Sequence, residues 1–185
     1  MTLVPRVPSA SFPPPDPPLS DGVISLRLHV PDDVPGIEQA LNDTEIVRWL
    51  GKSTSTAAEF LEDKRQGWRD GTTAAFAICD ADEQFVGQVF VKLGHAATAE
   101  VGYWLLPQAR GHGHATRAVR LASRWALEDL GIARLQLWTE PENVPSQRVA
   151  ERSGFVREGT LRSYREREGK RVDAIFYSLL PTDLT

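Results

Sequence analysis

Apolar and polar positions alternate first at residues 23–28, where Ile24, Leu26 and Leu28 interleave with Ser25 and Arg27, the period of a β-strand. The spacing then changes. Val34, Ile37, Ala40 and Leu41 recur at helical intervals behind Asp32 or Asp33 as N-cap, with Pro35 tolerable in the first turn. Residues 44–50 read as another helical turn or two. Residues 56–68 form a clearer helix, with Ser55 or Thr56 and Glu59 resembling a capping box. Two apolar runs, 74–79 and 85–93, flank the turn-forming Asp80-Ala81-Asp82-Glu83 and predict a hairpin, and residues 100–106 add a third strand of an antiparallel meander. Ala118, Val119, Ala122, Trp125, Ala126 and Leu130 place one apolar stripe on a helix over 115–130, which Gly131 ends. A strand over 134–138 follows, broken by Pro141-Glu142-Asn143. Asn143 then caps a helix running through Arg152 and ending at Gly154. Strands over 155–161 and 172–180, joined through a turn at Gly169, close the chain. Strand, helices, meander, helix, strand, helix and hairpin in that order predict an α/β layer around a mixed sheet, without a doubly wound core.

Composition changes this picture at one end. Seven of the 13 prolines fall in the first 22 residues, so residues 1–22 are expected to be an extended or disordered leader, with one domain over 23–185. A net charge of −4 argues against a broad nucleic-acid-binding face while leaving room for a local anion site. With one cysteine, Cys79, no disulfide can form within the chain, and its apolar neighbours mark it as a core residue. Neither a membrane span nor a signal peptide is legible, so a cytoplasmic protein is expected. Of the four histidines, His112 and His114 lie two apart, with His29 and His95 distant. No metal-ligand spacing is complete, and no metal is expected.

Chemistry concentrates between residues 101 and 115. A strand enters a short loop holding Gly111 and Gly113, and a long helix begins at once. Such a loop exposes backbone N–H groups at the positive end of a helix dipole, where phosphate binds without side-chain charge. Glycine permits both positive φ and close approach of a ligand. The same pattern also serves as a flexible helix start. A Walker loop is excluded, since His114-Ala115-Thr116 stands where a lysine and a hydroxyl residue are required. A dinucleotide fingerprint lacks its third small residue and its parallel βαβ setting.

Gln108-x-x-Gly111-x-Gly113-x-Ala115 resembles the acyl-CoA pyrophosphate loop of the GNAT superfamily of N-acyltransferases. Glu100-Val101-Gly102-Tyr103-Trp104-Leu105 before it is similar to the RimJ/RimL branch, which acetylates protein N-termini, including those of ribosomal proteins. So are Asn143-x-x-Ser146 and Ser153-Gly154-Phe155-x-x-Glu158-Gly159 after it, the opening strand, and the closing Phe176-Tyr177-Ser178-Leu179-Leu180. The resemblance covers residues 23–181. It implies a mainly antiparallel mixed sheet flanked by helices, with strands splaying apart to admit a pantetheine arm. It also implies acetyl-CoA or another acyl-CoA as co-substrate, an amine acceptor, and a homodimer as the oligomer to look for.

On that resemblance, the backbone of Arg110, Gly111, His112, Gly113, His114 and Ala115 holds pyrophosphate. The strand around Tyr103 to Leu106, with Leu105 and Leu106 as candidate contacts, pairs with the pantetheine amides, and one of its free N–H groups faces the thioester oxyanion. Asn143 bonds the pantetheine or else serves only as the N-cap. Glu100 is the candidate base, or else an exposed strand carboxylate. Ser146 is the candidate to meet the departing sulfur, or else a helix-capping serine. Trp49 and Tyr164 are the candidate acceptor contacts, with Trp49 otherwise a core residue. Many relatives carry a tyrosine acid four residues before the glycine of the Gly-Phe pair, but here that position is Ala150. Arg117 and Arg120 either reach CoA phosphates or face solvent. The expected acceptor is a protein or peptide N-terminus. The alternatives are a small amine (polyamine, amino sugar or drug), another donor such as succinyl-CoA, and a non-catalytic acyl-CoA-binding protein.

Overall fold

A computed structural model describes residues 13–167 and 169–184, so most of the proline-rich leader's expected behaviour, over residues 1–12, falls outside the described residues. The strands are β1 (Leu19–Ser20), β2 (Ser25–Arg27), β3 (Thr73–Cys79), β4 (Phe85–Leu93), β5 (Thr98–Leu105), β6 (Arg134–Thr139), β7 (Val156–Arg167) and β8 (Lys170–Leu179). The helices are α1 (Val34–Asn42), α2 (Thr44–Leu50), α3 (Ala57–Arg69), α4 (His114–Glu128) and α5 (Val144–Arg152). They form one mixed sheet in the order β1-β2-β3-β4-β5-β6-β8-β7, with only β5 and β6 parallel among the described pairs.

Ordered backbone begins earlier than Val23. Leu19 and Ser20 pair with Leu26 and Ser25, and Asp21 accepts from the backbone of Val23 and Ile24 and bridges to Arg117 on α4 at 2.6 Å. Proline content hid this, because Ser20 and Asp21 supply the turn that lets a short edge strand form. Asp33 also departs from its expected role. Its side chain does not cap α1. Instead Arg27 grips it through two guanidinium nitrogens at 2.7 and 2.9 Å. Burial works against its charge, yet Arg27 and His29 together hold its carboxyl well below the usual carboxylate range. The expected capping box on α3 is present, with Thr56 N–H donating to Glu59 and Glu59 N–H donating to Thr56.

The apolar stripe of α4 lies across the strands, packing Ala118, Val119, Ala122 and Trp125 with Phe76, Val91, Val101 and Leu105. On the opposite face, Ile37 and Ala40 of α1 and Ala57 and Leu61 of α3 join smaller clusters that include Trp104 and Leu106. Cys79 is fully buried there in the sheet, and burial pushes its thiol up to about 11, so it serves as core. Among the described residues, no helix is long and apolar enough to cross a membrane.

Candidate active site

The site begins as a fault in the sheet. Among the described residues, β5 and β6 pair only through Thr98, Ala99 and Glu100 against Arg134, Leu135 and Gln136, and beyond that point β5 has no strand partner on this side. Four hydrogen bonds fix which way its backbone points. Thr98 C=O accepts from Gly94 N–H and Leu106 N–H donates to Val86, both on the β4 side. Ala97 C=O accepts from Ala133 N–H and Leu105 C=O accepts from Arg110 Nε, both on the other side. With unbroken register between β4 and β5, alternation turns the N–H groups of Val101, Tyr103 and Leu105 into the gap. A cleft of about 590 Å³ opens there.

Side chains divide by the same alternation. Glu100, Gly102 and Trp104 share one sheet face with Gln136 and Trp138, which their parallel pairing brings alongside. Val101, Tyr103 and Leu105 share the α4 face with Leu137. Gly102 leaves room where the strands part, because a side chain there would push the ring of Phe90 aside.

At the mouth, Gly111 and Gly113 both adopt left-handed φ, 82° and 80°, and open space surrounds both. Among the described residues, no N–H from Gly111 to Thr116 reaches a protein acceptor; Arg117 is the first to bond back, to Gly113. Six successive N–H groups free of such a bond, at the start of a helix, suit an anion such as a diphosphate. Arg110 contributes differently from a phosphate-binding cation. Its guanidinium is committed to Asp43 at 2.7 Å, Glu45 at 2.6 Å and the Leu105 carbonyl, which ties the loop to α2 and β5. Arg117 and Arg120 are likewise engaged, with Asp21 and with the Arg152 carbonyl. His112 and His114 stack at 5.7 Å, and burial and then His112 lower the pKa of His114. Among the described residues, no three possible metal ligands cluster.

Glu100 lines the cleft half-buried, with no hydrogen bond or ion pair among the described residues. Asn143 Oδ1 accepts from Ser146 N–H and thereby caps α5, while both side chains line the cleft. Facing them is a residue the sequence did not single out for chemistry. Tyr103 Oη donates to Ser146 Oγ at 3.2 Å, and burial pushes the Tyr103 phenol up to about 12 despite that bond. Ala150 is buried, and the tyrosine beside Ser146 belongs to β5. Leu105 lines the cleft and Leu106 does not: its N–H and C=O serve Val86 and Ala109, and its side chain is buried beside Ala40 and Trp104. The expected pantetheine contact at Leu106 is therefore withdrawn.

The other wall is aromatic and charged. Trp49 of α2 and Trp138 of β6 both line it. Tyr164 lies behind Trp138, packed on Trp138 and Phe176 with centroid distances of 5.4 and 4.9 Å, and does not itself line the cleft. Arg165 and Glu140 complete this wall, with Glu140 paired to Arg167, and neither lining residue had a signal in local sequence. Glu158, from the Gly-Phe block, instead binds Arg134 and the Ser178 hydroxyl, which hold its carboxyl down to about 2 and pin β7 to the sheet.

The family profile described as an acetyltransferase (GNAT) domain matches residues 24–156. "Uncharacterized N-acetyltransferase p20" of Bacillus licheniformis is 35% identical over 164 residues, covering 85% of this chain and 92% of its own. "Putative ribosomal N-acetyltransferase YdaF" of Bacillus subtilis is 28% identical over 169 residues, covering 85% and 91%. Mycobacterium smegmatis RimJ, solved with CoA-disulfide, superposes with a TM-score of 0.78 at 25% identity, covering 88% of this chain and 84% of that one.

Proposed function

Because the chain belongs to the GNAT acetyltransferase family, and so is an N-acetyltransferase that uses acetyl-CoA, we propose that its acceptor is the α-amine of a protein or peptide N-terminus. The observation that carries the reading is the gap beyond Glu100 and Gln136, with unpaired N–H groups along one wall and a glycine loop at its mouth. The pyrophosphate belongs on the loop amides from Gly111 to Ala115, and the pantetheine along Val101, Tyr103 and Leu105.

Alternation puts the reacting groups on opposite sides of the thioester. Glu100, on the face away from α4, takes the proton from the amine directly or through a water. A β5 N–H in the gap stabilises the oxyanion as the amine adds to the carbonyl. Ser146 Oγ, backed by the Tyr103 phenol, returns a proton to the departing sulfur. Burial pushes that phenol up to about 12, so it keeps its proton throughout the neutral range, and its part is to hold the Ser146 hydroxyl in place by the hydrogen bond it donates. Magnitudes favour an α-amine, which costs about 1 kcal/mol to deprotonate at neutral pH, against about 4–5 kcal/mol for a lysine. Two of the carboxylates lining the cleft, Glu45 and Glu140, are already neutralised by Arg110 and Arg167, which leaves little negative field to draw in a polyamine. The similarity to YdaF and RimJ supports the same acceptor class.

Thiol release from acetyl-CoA, followed with peptides of free N-terminus, their N-acetylated forms, and spermidine, tests this. Release that needs the free α-amine is expected; release with spermidine alone would replace the acceptor class.

A further inference from the structure

Most arginines around the cleft spend their charge within the fold. Arg110 faces Asp43 and Glu45, Arg167 meets Glu140 at 2.7 Å and Glu142 at 3.8 Å, and Arg48 reaches Glu142 at 3.4 Å. Arg165 lines the same cleft and, among the described residues, meets no carboxylate. Its Nη1 donates to the Trp49 carbonyl at 3.4 Å, and its Cζ lies 5.4 Å from the Trp138 ring centroid. Trp138 occupies the sheet face of Glu100, so Arg165 and Glu100 address the same side of the gap.

A guanidinium laid against an indole and steadied by one carbonyl keeps its remaining donors in a fixed plane, the arrangement that binds carboxylate in bidentate fashion. A bulge aims it there. β7 advances from Leu161 to Arg165 while β8 moves only from Ala174 to Val172, and Ser163 takes a left-handed φ of 52°. The level of Trp138 lies two strand residues beyond that of Glu100, about 7 Å along the sheet. In a peptide the first residue's α-carboxyl is an amide and offers no carboxylate, so the nearest one past an amine at Glu100 is an acidic side chain on the next residue, whose reach is about that length.

We infer that Arg165 binds a carboxylate of the acceptor, so that the enzyme selects peptides with aspartate or glutamate in the second position. The inference rests on the peptide-acceptor reading above. Peptides beginning serine-glutamate, serine-glutamine and serine-lysine, otherwise identical, test it on the full chain. The wild-type kcat/KM is expected to be about tenfold higher for glutamate than for glutamine, mainly through KM. Arg165→Gln removes that preference and Arg165→Glu turns it towards lysine, with acetyl-CoA affinity by calorimetry unchanged in both. Equal wild-type rates for glutamate and glutamine peptides, or a preference that survives in Arg165→Gln, overturns the inference. If no peptide is acetylated but small amines are, the acceptor class fails instead. Comparing 6-aminohexanoate with its amide then still decides Arg165, since equal rates would remove its role.

Discussion

The two walls of the cleft are built by different means. The wall proposed for the donor is backbone: amides of β5 unpaired among the described residues, two left-handed glycines, and the first turn of α4, all supplied by the continuous stretch from Val101 to Thr116. The wall proposed for the acceptor is side chain: Trp49 from α2, Trp138 and Glu140 around the end of β6, and Arg165 from β7, brought together from segments far apart in the chain. A backbone site tolerates any side chain that leaves φ and access intact, so it suits a donor that never changes. A side-chain site can be retuned one residue at a time, which suits an acceptor that differs between relatives.

The sharpest way to separate the walls is to fill the loop. Gly113 is the residue before α4, at φ 80° with open space around it, so an aspartate there meets no clash. Aspartate is among the residues that best tolerate left-handed φ, and its charge suits a helix N-terminus. The fold should survive while its carboxylate repels the pyrophosphate. Gly113→Asp is expected to weaken acetyl-CoA binding by more than about a hundredfold in calorimetry, at the energy of an unpaired charge confronting another, with an unchanged circular dichroism spectrum. Normal affinity would move the pyrophosphate elsewhere.

Next in size is the group standing between the walls. Glu100→Gln keeps shape and removes the base, so kcat should fall about 10²- to 10⁴-fold while acetyl-CoA affinity stays put. The half-buried carboxylate has no partner to lose among the described residues, which separates this from a folding defect. Turnover within a factor of about two, inside the scatter of neutral surface changes, would take Glu100 out of the mechanism.

This difference between the walls also explains what could be read from the sequence. Glycine spacing and the apolar stripe of α4 are local signals, so the loop, the meander and both long helices were legible, as was the Asn143 cap. Alternation itself argues against Leu106, whose N–H belongs to β4, but the parity is set by hydrogen bonds that only the fold reveals. Tyr103 was passed over because the resemblance looked for a tyrosine on α5, at Ala150, whereas the phenol arrives from the neighbouring strand. Arg165 had no signal at all. The bulge after Leu161 breaks the two-residue period of β7, so neither its face nor its neighbours follow from counting.

The smallest expected effect refines the donor wall from within. Burial and His112 hold His114 below the ordinary histidine value of 6.5, so in the free enzyme it is mostly neutral near neutral pH. A pyrophosphate on the loop adds negative charge and raises that pKa in the complex. The complex then binds more protons than the free enzyme as pH falls through this range, and acetyl-CoA affinity must rise with falling pH, a gain lost again as pH climbs above both values. Between about pH 8 and about pH 6 the wild type should gain about two- to fivefold in affinity beyond the change shown by His114→Gln, the size of a charge at a helix N-terminus. The variant serves as the reference because the phosphates of CoA titrate in the same range. Parallel slopes for the two proteins would mean that His114 never senses the pyrophosphate, and that backbone amides alone make the loop's contact with the donor.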